Sequence, residues 1–260
     1  MPQTTRLRSG AIAQKDIIYA LFMREILTRF GRHNIGFLWL FLEPLMLGTA
    51  VGCLHSFSGH SLPGHLDPFV FSILGYIPFF MFRSIINRSP TALESNLSLL
   101  YHQHVSLTDV MLARNLLEFM ACGGVITLTV LFLSFFAGYP PENPILIIIG
   151  VLLTGLLSNG LSMIFAAAGV KWEVFDRFVH PATYIFMPLS GAFFALNWFT
   201  QNTRDILLWI PNISIHELIR SGQFGEELPG YYDLQYVLIW IILTNFFGFL
   251  SLRVVRSKIH

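Results

Sequence analysis

The stretch from Pro144 to Val170 contains no Asp, Glu, Lys or Arg. A helix needs about 20 apolar residues to cross the ~30 Å hydrocarbon core of a bilayer. In that core every backbone N–H and C=O must find its partner within the protein, which leaves the α-helix as the conformation of such a run. Five further stretches fit the same reading, although some carry a single charge or a proline. They are Ile35 to Phe57, Pro68 to Ile86, Met111 to Ala137, Pro181 to Phe199 and Tyr236 to Leu252. The fifth is short and is interrupted by Pro188. Only 12% of the 260 residues are charged. Average soluble domains run near 25%, so this chain lacks the polar residues to cover a water-facing surface. The expected fold is an all-α integral membrane domain over residues 1–260, with six transmembrane helices.

The direction of the spans follows from Lys and Arg, which accumulate in cytoplasmic segments. Of the 16 such residues, all but Arg204 and Arg220 fall on one side of this topology. Both ends of a multi-pass membrane protein are therefore expected in the cytoplasm, and the resemblance described below implies the bacterial inner membrane. Ile206 to Ile215 is apolar but too short to cross, and Pro211 interrupts it. If it crossed, the basic tail would lie outside. The segment 200–230 is thus expected to be re-entrant or periplasmic, and an ordinary amphipathic surface loop is the alternative.

Residues 11–33 read as a helix lying in the interface, since Ile18, Phe22, Ile26 and Phe30 recur every four residues. The helix ends in a basic cluster with Arg29, Arg32 and His33. That cluster is either a topology signal gripping anionic lipid heads or a contact for an acidic glycolipid. Arg83 and Arg88 near the inner end of the second span are further candidates for admitting such a substrate. Glu43 sits mid-span before Pro44. A charge at that depth costs a few kcal/mol on insertion scales, so it is expected to face the bundle interior, protonated or paired with Arg83. Gly48 and Gly52 permit close helix approach, within the chain or with a second copy. Among the aromatics, Trp39, Tyr76, Phe79, Tyr184 and Trp198 are candidates for a wall that stacks on sugar rings. Most aromatics at such positions are core or interfacial-belt residues.

Several chemistries find no footing. No Gly-rich phosphate loop ending in Lys is present, because the three lysines follow Gln14, Val170 and Ser257. The histidines have no matching ligand set for a metal. Cys53 and Cys122 read as small apolar residues. No nucleophile with a paired base stands out, and acidic residues within spans are too few for a proton relay.

Four motifs then resemble a known family. Arg24, Glu25, Arg29, Phe30 and Gly31 lead into Ile35 to Trp39 and Glu43-Pro44. The segment Asn96 to Asp109 is followed by Ala113 and Arg114. Pro211-Asn212 precedes Glu217, Arg220 and Phe224, and the tail carries Arg253 and Arg256. Nearly end to end, the chain resembles the permeases of ABC-2 type exporters. It is most similar to those that export capsular polysaccharide through the inner membrane of Gram-negative bacteria. The resemblance implies a homodimer with two ATP-binding cassette ATPase subunits, and a lipid-linked acidic polysaccharide as substrate. Membrane lipid and periplasmic and outer-membrane export components are further partners it suggests; nucleic acid is not one. No cofactor is expected in this chain, since ATP and Mg would be bound by the partner, and the chain itself would be no enzyme. The resemblance also implies an ATPase-coupling helix at 93–105, with Asn96, Tyr101, Gln103 and Asp109 as contacts. A periplasmic gate would involve Trp209, Glu217 and Arg220. Leu107 departs from the family pattern, where a proline is expected. The rival readings are an exporter of another lipid-linked polymer, of O-antigen or teichoic-acid type, and a membrane scaffold or enzyme without transport.

Overall fold

A computed structural model describes residues 3–30, 34–57, 66–96, 105–172 and 174–259, with the side chains of all of these except 3–12, 29–30, 34–37, 40 and 257–259. The described residues form helices, 3-10 turns and connecting loops, without strands. The helices are α1 (Gln3–Phe30), α2 (Asn34–Phe57), α3 (Pro68–Asn87), α4 (Leu107–Phe135) and α5 (Pro144–Lys171). They continue with α6 (Phe175–Phe186), α7 (Gln201–Leu207), α8 (Pro211–Phe224) and α9 (Leu234–Ile259). Four of them, α3, α4, α5 and α9, are long and apolar enough to cross a membrane; the apolar part of α2, Phe41–Phe57, is shorter.

Local chemistry sets where these helices start. Asp67 caps α3, its Oδ1 accepting from the N–H groups of Phe69 and Val70 at 2.8 and 3.1 Å, with Pro68 in the first turn. Ser106 and Asp109 form a reciprocal capping box at the head of α4. Asn143 caps α5, again followed by proline. Leu107 occupies the first position of α4. A proline there would lose no helical hydrogen bond, and leucine fits equally well, so the departure from the family pattern leaves the turn intact.

Helix α3 is the centre of the bundle: nearly every residue from Val70 to Asn87 is buried. Around it pack α2, α4, α5, α6 and α8. The close approach of α2 uses Gly52, where a Cβ would stand 2.7 Å from the Phe69 ring. Gly48 faces Ile73 in the same way. The small-residue spacing therefore serves a contact within the chain. A main apolar core joins α3, α4, α5, α8 and α9. A second core gathers Leu21 of α1, Leu107 and Met111 of α4, Met163 of α5 and Val255 of α9. It places α1 and the end of α9 at one end of the bundle.

In α1 the packed residues are Ile17, Ile18, Leu21 and Phe22, joined by Ile26. Tyr19 and Leu27 remain exposed. The buried face is thus broader than the four-residue stripe and takes in Ile17 and Leu21. The fifth apolar stretch departs most from expectation, because no continuous helix covers 181–199. Helix α6 begins earlier, at Phe175, and ends at Phe186. A 3-10 turn over Met187–Leu189 follows. Gly191 then takes φ +89° and turns the chain. Pro188 has no N–H to extend the helix, and left-handed backbone at Gly191 is accessible without strain. The stretch around Pro211 is divided between α7 and α8, with Pro211 in the first turn of α8.

Candidate functional site

Three groupings of polar side chains stand out in this apolar bundle. The first lies at the end that carries α1. Gln14 donates to Asp109 at 3.0 Å, and Arg24 donates to Asn96 at 2.9 Å. Glu25 pairs with Arg114 at 3.3 Å. Arg114 also reaches the Ala92 carbonyl and the Ser95 hydroxyl, at 3.3 and 3.1 Å. These bonds staple α1 to the residues on either side of 97–104. Asn96 and Asp109 are buried, and each is bonded to α1. Tyr101 and Gln103 lie outside the described residues, as do Arg32, His33 and the side chain of Arg29.

The second grouping lies inside the span layer. Arg88 pairs with the buried Glu118 at 3.4 Å, its own side chain 43% exposed. Arg83 places its guanidinium 3.8 Å from the centre of the Tyr184 ring. Glu43 is half-buried, and Tyr76 lies within electrostatic range of Glu43, Arg83 and Tyr184. No ion pair joins Glu43 to Arg83. Of the candidate wall aromatics, Trp39 and Tyr184 are more than half exposed. Phe79 is fully buried and Tyr76 nearly so. Trp198 stacks on Phe71 with ring centres 5.0 Å apart. Phe79 is therefore core and presents no face to a passing polymer. Deeper still, Asn115 donates to Asn159 at 2.8 Å and Asn159 to Asn245 at 2.9 Å. This amide chain ties α4, α5 and α9 together where lipid gives no hydrophobic drive for association.

The third grouping is centred on α8. Arg220 is buried and donates to the carbonyls of Phe194 and Ala192, the latter at 2.6 Å. Its guanidinium also lies 3.9 Å from the centre of the Phe71 ring. Glu217, equally buried, accepts from the N–H of Leu196 at 3.1 Å and of Tyr231 at 3.3 Å. The two side chains approach to 3.9 Å. The ring nitrogens of His216 lie 2.9 and 3.2 Å from the Asn212 and Gly75 carbonyls, and the single N–H of whichever tautomer is present donates to one of them. Here one helix turn holds the loop after α6, the loop before α9 and the middle of α3. Trp209, by contrast, is 75% exposed, while its carbonyl accepts from the Tyr236 hydroxyl at 2.7 Å. Near the same end, the Tyr139 hydroxyl donates to Asp67 at 3.0 Å. That bond to a carboxylate raises the Tyr139 pKa above the ordinary phenol value.

Sequence reasoning missed Gln14, Asn115, Asn245 and His216. A polar residue amid apolar neighbours was the available signal for Asn115 and Asn245. Nothing local marked Gln14 or His216.

The family profile described as ABC-2 type transporter matches residues 17–224. The capsule polysaccharide export inner-membrane protein CtrC of Neisseria meningitidis is 32% identical over 246 residues, covering 94% of this chain and 92% of that protein. BexB of Haemophilus influenzae, of the same description, is 33% identical over 241 residues, 91% of this chain and 89% of the relative. The polysialic acid transport protein KpsM of Escherichia coli is 33% identical over 252 residues, 93% and 94% of the two chains. With both the profile and these relatives running through α8 and its Glu217–Arg220 clamp, the chain belongs to the ABC-2 type transporter family.

Proposed function

We propose that this chain is the permease subunit of an ATP-driven exporter that moves lipid-linked acidic capsular polysaccharide across the bacterial inner membrane. The observation that carries the reading is the likeness to relatives named for capsule polysaccharide export and polysialic acid transport, over about nine-tenths of each chain. The chain is a transmembrane subunit without catalytic residues of its own. ATP and Mg would be bound by two separate ATPase subunits, and a second copy of the chain would complete the channel.

In this reading six segments cross the membrane, and both ends lie in the cytoplasm. The Lys and Arg asymmetry supports that orientation, as does the shared core of α1 and the end of α9. The fifth crossing would combine α6 with the 3-10 turn and the bend at Gly191. The pair α7 and α8 would dip into the outer leaflet and return, with the Glu217–Arg220 clamp holding the gate's base and Trp209 at its exposed tip. Irregular backbone at that depth is stable only when it is bonded within the protein, which the clamp provides. The coupling segment 93–105 would receive the ATPase's stroke and pass it to α1 through Asn96 and the neighbouring Asp109. The acidic head of the glycolipid would be drawn in by Arg29, Arg32 and His33.

The test is complementation of a strain lacking its own capsule-export permease. The wild-type chain should restore surface polymer. The Arg29→Ala, Arg32→Ala double variant should reach the membrane in equal amount and export far less. Normal export by that variant would defeat the basic admission site, and failure of the wild-type chain to export any acidic polymer would defeat the function.

A further inference from the structure

Every arginine of the described residues that is withdrawn from the surface has an oxygen to donate to, with one exception. Arg24 has Asn96, Arg114 has Glu25, Arg204 has the Phe199 carbonyl and Arg220 has two carbonyls. Arg83 has none. Its Nε is buried without a hydrogen-bond partner. Among the described residues its one close partner is the Tyr184 ring, which engages the face of the guanidinium and leaves its N–H donors unused. Arg83 stands on α3, about one turn from the helix end at Asn87. A cation at membrane depth is costly, and such residues pair with an anion or line a path for one. Glu43, the nearby carboxylate, influences the same tyrosine but is not in ion-pair contact.

The guanidinium is a planar fork whose parallel N–H bonds match two oxygens of one carboxylate or phosphate group. Tyr184 is 55% exposed, so the fork and its aromatic backing are open on one side. Resting on the export reading above, we propose that Arg83, backed by Tyr184, is an oxyanion-binding site for the exported glycolipid, taking a carboxylate or phosphate group carried on it. The site lies on α3, a turn inside the end of that helix. It is a second station, at which the polymer's charge replaces the acceptor the chain itself lacks. The sugar ring that bears the charge meets the exposed part of Tyr184.

The experiment uses the full chain in nanodiscs of neutral lipid. Three probes are titrated: a galacturonic acid hexamer, the same hexamer with its carboxyl groups reduced to alcohols, and dodecyl phosphate. Wild type should bind at least one acidic probe, and bind the reduced hexamer no better than Arg83→Gln binds the acid. Arg83→Gln should weaken acidic-probe binding at least tenfold, and Arg83→Lys less, since it keeps the charge and loses the fork. Preference for the hexamer assigns the site to a sugar carboxylate; preference for dodecyl phosphate assigns it to a lipid-linked phosphate. Where Arg83→Gln does not assemble, Tyr184→Ala at its exposed ring takes its place and should weaken binding several-fold. No acidic-probe binding by wild type, or unchanged binding in these variants, overturns the proposal. Complementation separates the two readings. If the wild-type chain restores export and Arg83→Gln restores it equally with unchanged binding, the site fails while the export function stands.

Discussion

Replacing Arg220 with alanine tests whether the α8 clamp is what holds the loop after α6. Arg220 is buried and donates to the Ala192 carbonyl at 2.6 Å and to the Phe194 carbonyl. Hydrogen bonds to a charged group contribute ~1.5–3 kcal/mol each. The stack on Phe71 adds up to ~2 kcal/mol where the ring and cation are dry. Opposing these is the desolvation of the cation, several kcal/mol, so the residue's net worth is modest. Truncation is a different quantity. Arg220→Ala leaves two carbonyls without donors and Glu217 buried without its counter-charge. Removing one partner of a buried pair costs ~3–5 kcal/mol. For a chain of this size that is a fall on the order of 10 °C in melting temperature. Glu217→Gln keeps one acceptor for the Leu196 and Tyr231 N–H groups and should cost ~1–3 kcal/mol. The direct Arg220–Glu217 contact is long, at 3.9 Å. The Glu217→Gln, Arg220→Ala cycle should therefore give a coupling of about 1 kcal/mol, smaller than either single effect. The assay is thermal unfolding of the full chain in nanodiscs, followed by tryptophan fluorescence. An unshifted melting temperature for Arg220→Ala would refute the clamp. A coupling larger than the single effects would show that the ion pair, rather than the carbonyl bonds, does the holding.

Three further outcomes follow from the geometry. Asn159→Leu breaks the amide chain between α4 and α9 and should destabilise the fold by ~1–2 kcal/mol, read as a lower melting temperature; an unchanged value would show that apolar packing alone joins these helices. Asp109→Ala removes both the capping box and the Gln14 bond, and should cost ~1–2 kcal/mol. It should also raise protease access to α1, which Gln14→Ala alone would do more weakly; equal protection in all three proteins would refute the staple. The Tyr139 hydroxyl bond to Asp67 holds the folded-state pKa of Tyr139 above its unfolded value. Its stabilisation is complete below the unfolded phenol pKa and is lost as pH rises through the folded one. Melting measured from neutral to strongly alkaline pH should thus fall more steeply in wild type than in Tyr139→Phe, and parallel curves would refute the bond.

Much of the fold could be read locally. The helices α3 and α5 were located to within a residue, because an apolar run and a cap followed by proline are properties of adjacent residues. The head of α4 lay four residues earlier than hydropathy alone placed it. Its capping box uses Ser106 and Asp109, which are polar and so lay outside the apolar run. The fifth stretch is broken into shorter elements for a related reason. Hydropathy registers apolar content across 181–199 but not that Gly191 turns the backbone toward α8. The site was less legible. Glu217 and Arg220 were flagged by a motif, but their partners at Ala192, Phe194, Leu196 and Tyr231 were not. Asn96 and Asp109 were expected to face a partner, and the structure engages both with α1.

The sequence alone determined that this chain lives in a membrane and where the apolar helices α3 and α5 begin. Those facts depend on hydropathy, caps and charge counts, which act over one helix turn or one span. Only the tertiary structure decided which polar residues meet. Gln14 and Asp109 are 95 residues apart, and His216 and the Gly75 carbonyl 141. In an apolar bundle each such group must find a partner wherever the packing brings one. That same requirement singles out Arg83, for which the described chain supplies no oxygen.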